Sequence, residues 1–209
     1  MAKASIQFQT ENRDAFFRRV HVFVLPYHEG ALRVARAYAA AKEAFRTVKR
    51  KRGERYFEHC RAVALVLIDK LGIYDPDMII AALLHDIVED CDPEWTIERV
   101  LREFGARVAK LVAALTIPSG EFANREERLH AYHTQLFAGP PEALIIKLAD
   151  RLHNLSSCGA LSWDAQKRMI EETEHVYLPL AKEKSILAEE LKEVIAKRKE
   201  EMMHGPTDP

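Results

Sequence analysis

The sequence of 209 residues predicts an all-α protein. In segment after segment, apolar residues recur at a spacing near 3.6, which is the period of a helix that buries one face. No segment shows the sustained alternation of apolar and polar residues that marks a half-buried strand. The chain has only 8 Gly and 9 Pro, and 48% of its residues are hydrophobic, which is typical of a globular domain. This length fits one domain.

The first helix is predicted from Ala31, where ALRVARAYAAAKEAF combines strong helix formers with helical apolar spacing. A basic turn broken at Gly53 follows, and a second helix is expected over about 56–71. Asp75 and Pro76 predict the start of a third helix, because Asp is a favoured N-cap and Pro a favoured first residue. We expect this helix to carry the segment HDIVED and to end before Cys91.

The rest of the chain is also predicted to be helical, with turns at Gly and Pro and caps at Thr and Ser. Further helices are expected at 97–104, 106–116, 125–137, 142–155, 162–177 and, after Pro179, up to about 203. Eight to ten helices therefore form one domain over residues 31–203. Residues 1–30 are interpreted as an N-terminal extension with room for one extra helix, and 204–209 as a frayed tail.

Composition argues against several classes of protein. Lys and Arg total 31 and Asp and Glu total 32, so bulk attraction to DNA, RNA or an anionic membrane is not expected. No apolar run approaches the ~18 residues of a membrane span, and the N-terminus lacks the apolar core of a signal peptide. The three cysteines form no CxxC pair, which favours reduced thiols and a cytoplasmic location.

The stretch ALLHDIVED, followed by Asp90, changes from apolar to charged within a few residues. Charged groups are rarely buried unless they are paired or bound to a metal. On a helix, His85 and Glu89 share a face, as do Asp86 and Asp90. One helix cannot complete a metal shell, so further ligands must come from polar residues on other apolar helical faces. His59 and Asp150 lie in such settings, with Asn154 one turn beyond Asp150.

Each of these residues also has a purely structural explanation. His59 alone would more often be a hydrogen-bonded core histidine, and Asp150 alone would more often pair with Arg151. Glu89 and Asp90 could form a solvated helix end, although acids at a helix C-terminus oppose the helix dipole. The combination of His59, His85 with Asp86, and Asp150 favours a metal site over these separate explanations.

The order His, His-Asp, Asp resembles the HD superfamily of metal-dependent phosphohydrolases. AALLHDIVED resembles the HDxxED motif of the RelA/SpoT hydrolase domain, and IIKLADRLHNL and RKRGERYFEHCRAVA are similar to two further signatures of that family. The resemblance covers roughly residues 31–185, and it implies an HD-domain helical bundle around one metal site. It also implies a stand-alone small alarmone hydrolase, similar in plan to the metazoan SpoT homologues of the stringent-response family.

The resemblance implies that His59, His85, Asp86 and Asp150 bind one divalent ion, usually Mn²⁺. It further implies that Glu89 and Asp90 orient and deprotonate the attacking water, and that Arg50, Lys51 and Asn154 contact the substrate. The implied enzyme is a phosphoric ester hydrolase that removes the 3′-pyrophosphate of (p)ppGpp, giving GDP or GTP and pyrophosphate. The implied partner is thus a small nucleotide rather than DNA, RNA or a membrane.

One departure from the family pattern bears on the substrate. Family members often have Arg two places after the Asn that corresponds to Asn154, and this chain has Ser156 there. The adenosine alarmone (p)ppApp therefore stays open as a substrate, either preferred over (p)ppGpp or accepted as well. Two other functions stay open: an HD-type phosphatase acting on another nucleotide, and a module that binds an alarmone without cutting it. The sequence leaves open the metal used in the cell, whether the chain is a monomer or a homodimer, and whether it counteracts an alarmone synthetase.

Overall fold

The computed structural model describes residues 12–21 and 28–203. Within these ranges the regular structure is helical, apart from an isolated antiparallel bridge between Lys49 and Arg55, so the all-α prediction is confirmed. Most of the predicted N-terminal extension and the predicted frayed tail fall on residues 1–11, 22–27 and 204–209, outside the described residues. No helix in the described ranges is long and apolar enough to cross a bilayer.

The chain divides into two compact units, and the boundary between them falls after Lys147. Helices α1 to α8 belong to the first unit: α1 Arg13–His21, α2 Glu29–Ala44, α3 Tyr56–Asp69, α4 Pro76–Leu84, α5 Ile87–Asp90, α6 Ile97–Phe104, α7 Ala106–Leu115 and α8 Arg125–Ala138. Helix α9, Pro141–Ser157, begins in the first unit and continues into the second. The second unit also holds α10 Trp163–Glu172, α11 Leu178–Lys184 and α12 Ala188–Met203.

Helix α4 lies at the centre of the first unit, where it packs against α2, α3 and α7. Every residue from 78 to 84 is buried, as expected for a helix that is apolar on all sides. Its start agrees with the prediction: the Asp75 side chain accepts hydrogen bonds from the backbone N–H groups of Asp77, at 2.9 Å, and Met78, at 3.4 Å. Pro76 follows at the first helical position. A rigid buried helix thus leads directly to His85.

The helix expected to run through HDIVED is interrupted at His85 and Asp86, which corrects the prediction of one continuous helix. Asp86 has φ −106° and ψ 6°, in the bridge region between the main backbone basins. Its carboxylate does not cap α5 and instead accepts a hydrogen bond from the Tyr56 hydroxyl. Helical hydrogen bonding resumes at once, with Asp90 N–H donating to the Asp86 carbonyl at 3.0 Å.

A second correction concerns Pro179, where the sequence predicted a helix end. The helix instead continues to Lys184 and stops at Ser185, whose φ of 56° is left-handed. A π turn, Thr173–Tyr177, precedes α11, so Pro179 falls in the first turn of α11. Pro179 has no N–H to donate, and it lies just after the π turn, where the regular hydrogen-bond pattern of the helix has already changed.

Candidate active site

Two imidazoles and one carboxylate meet in the first unit. His59 comes from α3, while His85 and Asp86 occupy the break between α4 and α5. The two histidine Nε2 atoms lie 3.2 Å apart, and Asp86 Oδ2 is 2.8 Å from His85 Nε2 and 3.7 Å from His59 Nε2. Both histidines are 1% exposed. The structure therefore brings together three of the four predicted metal ligands.

These three side chains fit a divalent cation. The Nδ1 of His85 donates to the Ala82 carbonyl at 2.8 Å, so in the neutral ring the lone pair is on Nε2 and faces His59. Two buried nitrogens this close need a proton or a cation between them. Ligand atoms of the three residues all lie within 4.8 Å of one another. A mixed imidazole and carboxylate set suits ions such as Mn²⁺ or Fe²⁺.

Tyr56 supports this cluster and was missed by the sequence reasoning. Its hydroxyl donates to Asp86 Oδ2 at 2.7 Å, and its ring stacks on Phe45, with centroids 5.2 Å apart. Burial, followed by the negative charge of Asp86, raises the pKa of Tyr56 far above its usual 10, so the hydroxyl stays protonated as a donor. The sequence did hold a signal, because Tyr56 is three residues before His59 and shares its helical face.

Glu89 and Asp90 follow the cluster on α5, with part of each side chain open to solvent. The backbone N–H of Ile117 donates to Glu89 Oε1 at 2.9 Å and thereby holds one oxygen in place. The pKa of Glu89 is raised, first because the surrounding protein displaces water and second because Asp86 is negatively charged. The same two causes, in the same order, raise the pKa of Asp90.

Asp150 and Asn154 lie in the part of α9 that belongs to the second unit. Asp150 is 2% exposed, and its Oδ1 accepts a hydrogen bond from Asn154 Nδ2 at 2.6 Å. Arg151 pairs with Glu172, through two contacts of 3.2 Å. The roles of Asp150 as a metal ligand and of Asn154 as a substrate contact stay predictions.

Arg50 and Lys51 lie in the basic turn between α2 and α3. The turn is closed by hydrogen bonds from Arg50 N–H to the Glu54 carbonyl and from Gly53 N–H to the Arg50 carbonyl, both at 2.9 Å. Gly53 takes a φ of 88°, which favours glycine at this position. The turn ends at Glu54, two residues before Tyr56, which is the first residue of α3. The contact of Arg50 and Lys51 with a substrate likewise stays a prediction.

The chain is similar in sequence to proteins named as guanosine-3′,5′-bis(diphosphate) 3′-pyrophosphohydrolases and GTP pyrophosphokinases. The chain is 40% identical over 157 residues to a guanosine-3′,5′-bis(diphosphate) 3′-pyrophosphohydrolase of Aquifex aeolicus, a match that covers 74% of this chain and 22% of that protein. It is 39% identical to a GTP pyrophosphokinase of Streptomyces coelicolor, over 71% of this chain and 17% of that protein. The chain thus spans about a fifth of the length of these curated relatives.

A solved structure with the same fold belongs to a metazoan ortholog of SpoT that hydrolyses ppGpp. The TM-score is 0.70 at 26% identity, and the match covers 79% of this chain and 95% of the other. The resemblance to the RelA/SpoT hydrolase domain is thereby confirmed. The sequence pattern of the HD domain matches residues 35–187, which is most of the chain, and the chain therefore belongs to the HD domain family.

Proposed function

We propose that this chain is a metal-dependent hydrolase that removes the 3′-pyrophosphate from a (p)ppGpp-type alarmone, giving GDP or GTP and pyrophosphate. The observation that carries the proposal is the buried cluster of His59, His85 and Asp86, followed by Glu89 and Asp90 on the next helical turn. The relatives named as 3′-pyrophosphohydrolases support the same substrate class.

In this proposal His59, His85 and Asp86 hold one divalent ion, with Asp150 as the fourth protein ligand and Mn²⁺ as the expected metal. Such an ion, when bound, polarises a phosphoryl oxygen and lowers the pKa of a water molecule. Tyr56 orients the Asp86 carboxylate through its hydrogen bond, so the ligand oxygen points toward the two imidazoles.

Glu89 and Asp90 orient the attacking water and accept its proton. The raised pKa of Glu89 favours this role, because a base whose pKa lies nearer the working pH accepts protons more effectively. The water oxygen forms a bond to the phosphorus next to the ribose 3′ oxygen, and the bond from that phosphorus to the 3′ oxygen breaks. The 3′ oxygen leaves with a proton, which completes the nucleoside 5′-diphosphate or 5′-triphosphate.

The substrate contacts are assigned to the basic turn and to α9. Arg50 and Lys51 would meet the base and the phosphates, since guanidinium groups pair with phosphate and stack on rings. Asn154 would contact the nucleotide from α9. We place the reaction in the cytoplasm, with a small nucleotide as partner rather than DNA, RNA or a membrane.

A second substrate, (p)ppApp, is favoured by Ser156. Its hydroxyl donates to the Leu152 carbonyl at 2.8 Å, so this short side chain turns back onto its own helix. The arginine that relatives often carry at this place would extend much further. In this proposal the base pocket differs at this position from that of such relatives, and adenine is the alternative to guanine.

The test is pyrophosphate release from ppGpp and ppApp, with and without Mn²⁺, for the wild type and for Asp86→Ala. We expect Mn²⁺-dependent release by the wild type, and loss of nearly all turnover and metal binding in Asp86→Ala. The exposed Asp164 on α10 gives a matched control, Asp164→Ala, which should keep both properties. Phosphate release from other nucleotides alone would indicate a different HD phosphatase. Tight alarmone binding without release would indicate a binding module.

A further inference from the structure

We propose that Gln135, on α8, is a positioning residue for Glu89 and acts through the peptide group that joins Thr116 to Ile117. This inference rests on the proposed role of Glu89 as a proton acceptor. It assigns a function to a residue that lies outside the HDIVED and KLADRLHN segments and far from Glu89 in sequence.

The first step is the way in which α7 ends. Helix α7 stops at Leu115, and Thr116 is extended, with φ −73° and ψ 127°. The last carbonyl groups of a helix have no partner within it and need one from elsewhere. Gln135 Nε2 donates to the Ala113 carbonyl at 2.8 Å and to the Thr116 carbonyl at 2.7 Å. Because both partners are acceptors, the amide NH₂ of Gln135 must face them.

The second step is the other side of the same peptide group. The Thr116 carbonyl and the Ile117 N–H belong to one planar unit, in which they point in opposite directions. Ile117 N–H donates to Glu89 Oε1 at 2.9 Å. Gln135, the peptide and Glu89 therefore form a continuous chain of hydrogen bonds, in which each bond polarises the next. Fixing the carbonyl from α8 fixes the direction of the N–H that holds Glu89.

The third step is the effect of this hydrogen bond on the orientation of the Glu89 carboxylate. With Oε1 engaged by Ile117, Glu89 has a restricted rotation and keeps Oε2 as the oxygen that can accept a proton. Glutamine suits this position because it supplies two N–H donors on a neutral side chain. Methionine has a similar length and no donor, so Gln135→Met removes the hydrogen bonds while it keeps most of the packing.

The first measurement is hydrogen exchange of the Ile117 amide by NMR, which does not depend on any enzymatic activity. We expect exchange at least about tenfold faster in Gln135→Met than in the wild type, because the amide loses its fixed acceptor geometry. Gln135→Lys, whose ammonium can donate to both carbonyls, should restore protection. The control is Thr116→Val, which removes the bond from Thr116 Oγ1 to the Val112 carbonyl but leaves the peptide intact. Unchanged exchange in Gln135→Met would overturn the proposal.

The second measurement is a double-mutant cycle with Glu89→Gln, which keeps an oxygen acceptor for Ile117 but is a much weaker base. Gln135→Met should lower kcat about tenfold, the effect of disturbing one hydrogen bond to a charged group, with little change in KM or in Mn²⁺ affinity. In the Glu89→Gln background it should cause no further loss of kcat. An equal loss in both backgrounds would mean that Gln135 only stabilises the fold, and would refute the proposal. If the wild type releases no pyrophosphate, the proposed function fails, and the exchange experiment alone decides the role of Gln135.

Discussion

Replacing Tyr56 with Phe tests whether the hydrogen bond to Asp86 helps to hold the metal. The change removes one hydroxyl and keeps the ring, which stacks on Phe45 and meets the His59 ring edge-on at 5.4 Å. The lost interaction is the 2.7 Å bond to Asp86 Oδ2. Since the ring stays in place, we expect the protein to fold normally. The change should act on Asp86, the proposed metal ligand, and so on metal affinity.

The expected magnitude follows from the charge of the acceptor. A hydrogen bond to an ionised group contributes about 1.5–3 kcal/mol, and each ~1.4 kcal/mol corresponds to a tenfold change in an equilibrium constant. Losing a partner of a metal ligand typically costs about 10–100-fold in metal affinity, which is the same range. A carboxylate oxygen has two lone pairs, so Oδ2 can accept from Tyr56 and still face the imidazoles. The Kd for Mn²⁺ should therefore rise about 10–100-fold in Tyr56→Phe.

Isothermal titration with Mn²⁺, or competition with a chelator of known affinity, measures this change without any substrate. The matched control is Tyr38→Phe, a tyrosine whose ring contacts Phe57 and whose hydroxyl meets Arg61 Nη1 at 3.3 Å rather than a proposed ligand. That variant should lose some stability and keep its metal affinity. Equal affinity for Tyr56→Phe and the wild type would refute the argument. Tighter binding would refute it as well, because it would mean that the hydroxyl competes with the ion for Oδ2.

Two further predictions concern stability and reactivity. Glu172→Ala should lower the free energy of unfolding by about 1.5–3 kcal/mol in urea denaturation, because it removes both hydrogen bonds from Glu172 to the buried Arg151, which then keeps Asp150 and Tyr177 nearby. The neighbouring Glu171→Ala removes only an exposed contact with Lys167 and should cost less than about 1 kcal/mol, so similar losses in the two variants would contradict the argument. The pKa of Cys91 is raised from 9.0 to about 11 by burial and by the nearby carboxylates. Its alkylation by iodoacetamide at pH 8, followed by peptide mass spectrometry, should thus be about 100-fold slower than that of an unperturbed thiol, and a comparable rate would contradict this.

The sequence predicted His59, His85 and Asp86 as ligands because residue type and helical setting both pointed to a metal site, and the structure brings these three side chains together. It could not identify Gln135, because nothing near this residue in sequence marks the carbonyls that it contacts, 19 and 22 positions away. The bond from Ile117 to Glu89 likewise joins residues 28 positions apart. Such contacts depend on how helices pack, and packing is not encoded in local spacing. The same limit applies to the helix end at Pro179, where a π turn places the proline in a tolerated position.

The interruption at His85 and Asp86 shows how the predicted residues can meet although the predicted backbone was wrong. On a continuous helix, neighbouring side chains diverge by ~100°, so His85 and Asp86 could not both face His59 closely. The chain avoids this conflict by leaving the helical conformation at Asp86, which brings Asp86 Oδ2 to 2.8 Å from His85 Nε2. His85 directly follows the buried helix α4, and the Tyr56 hydroxyl donates a hydrogen bond to Asp86. In this chain the break between α4 and α5 therefore lets the side chains of His85 and Asp86 face the same point.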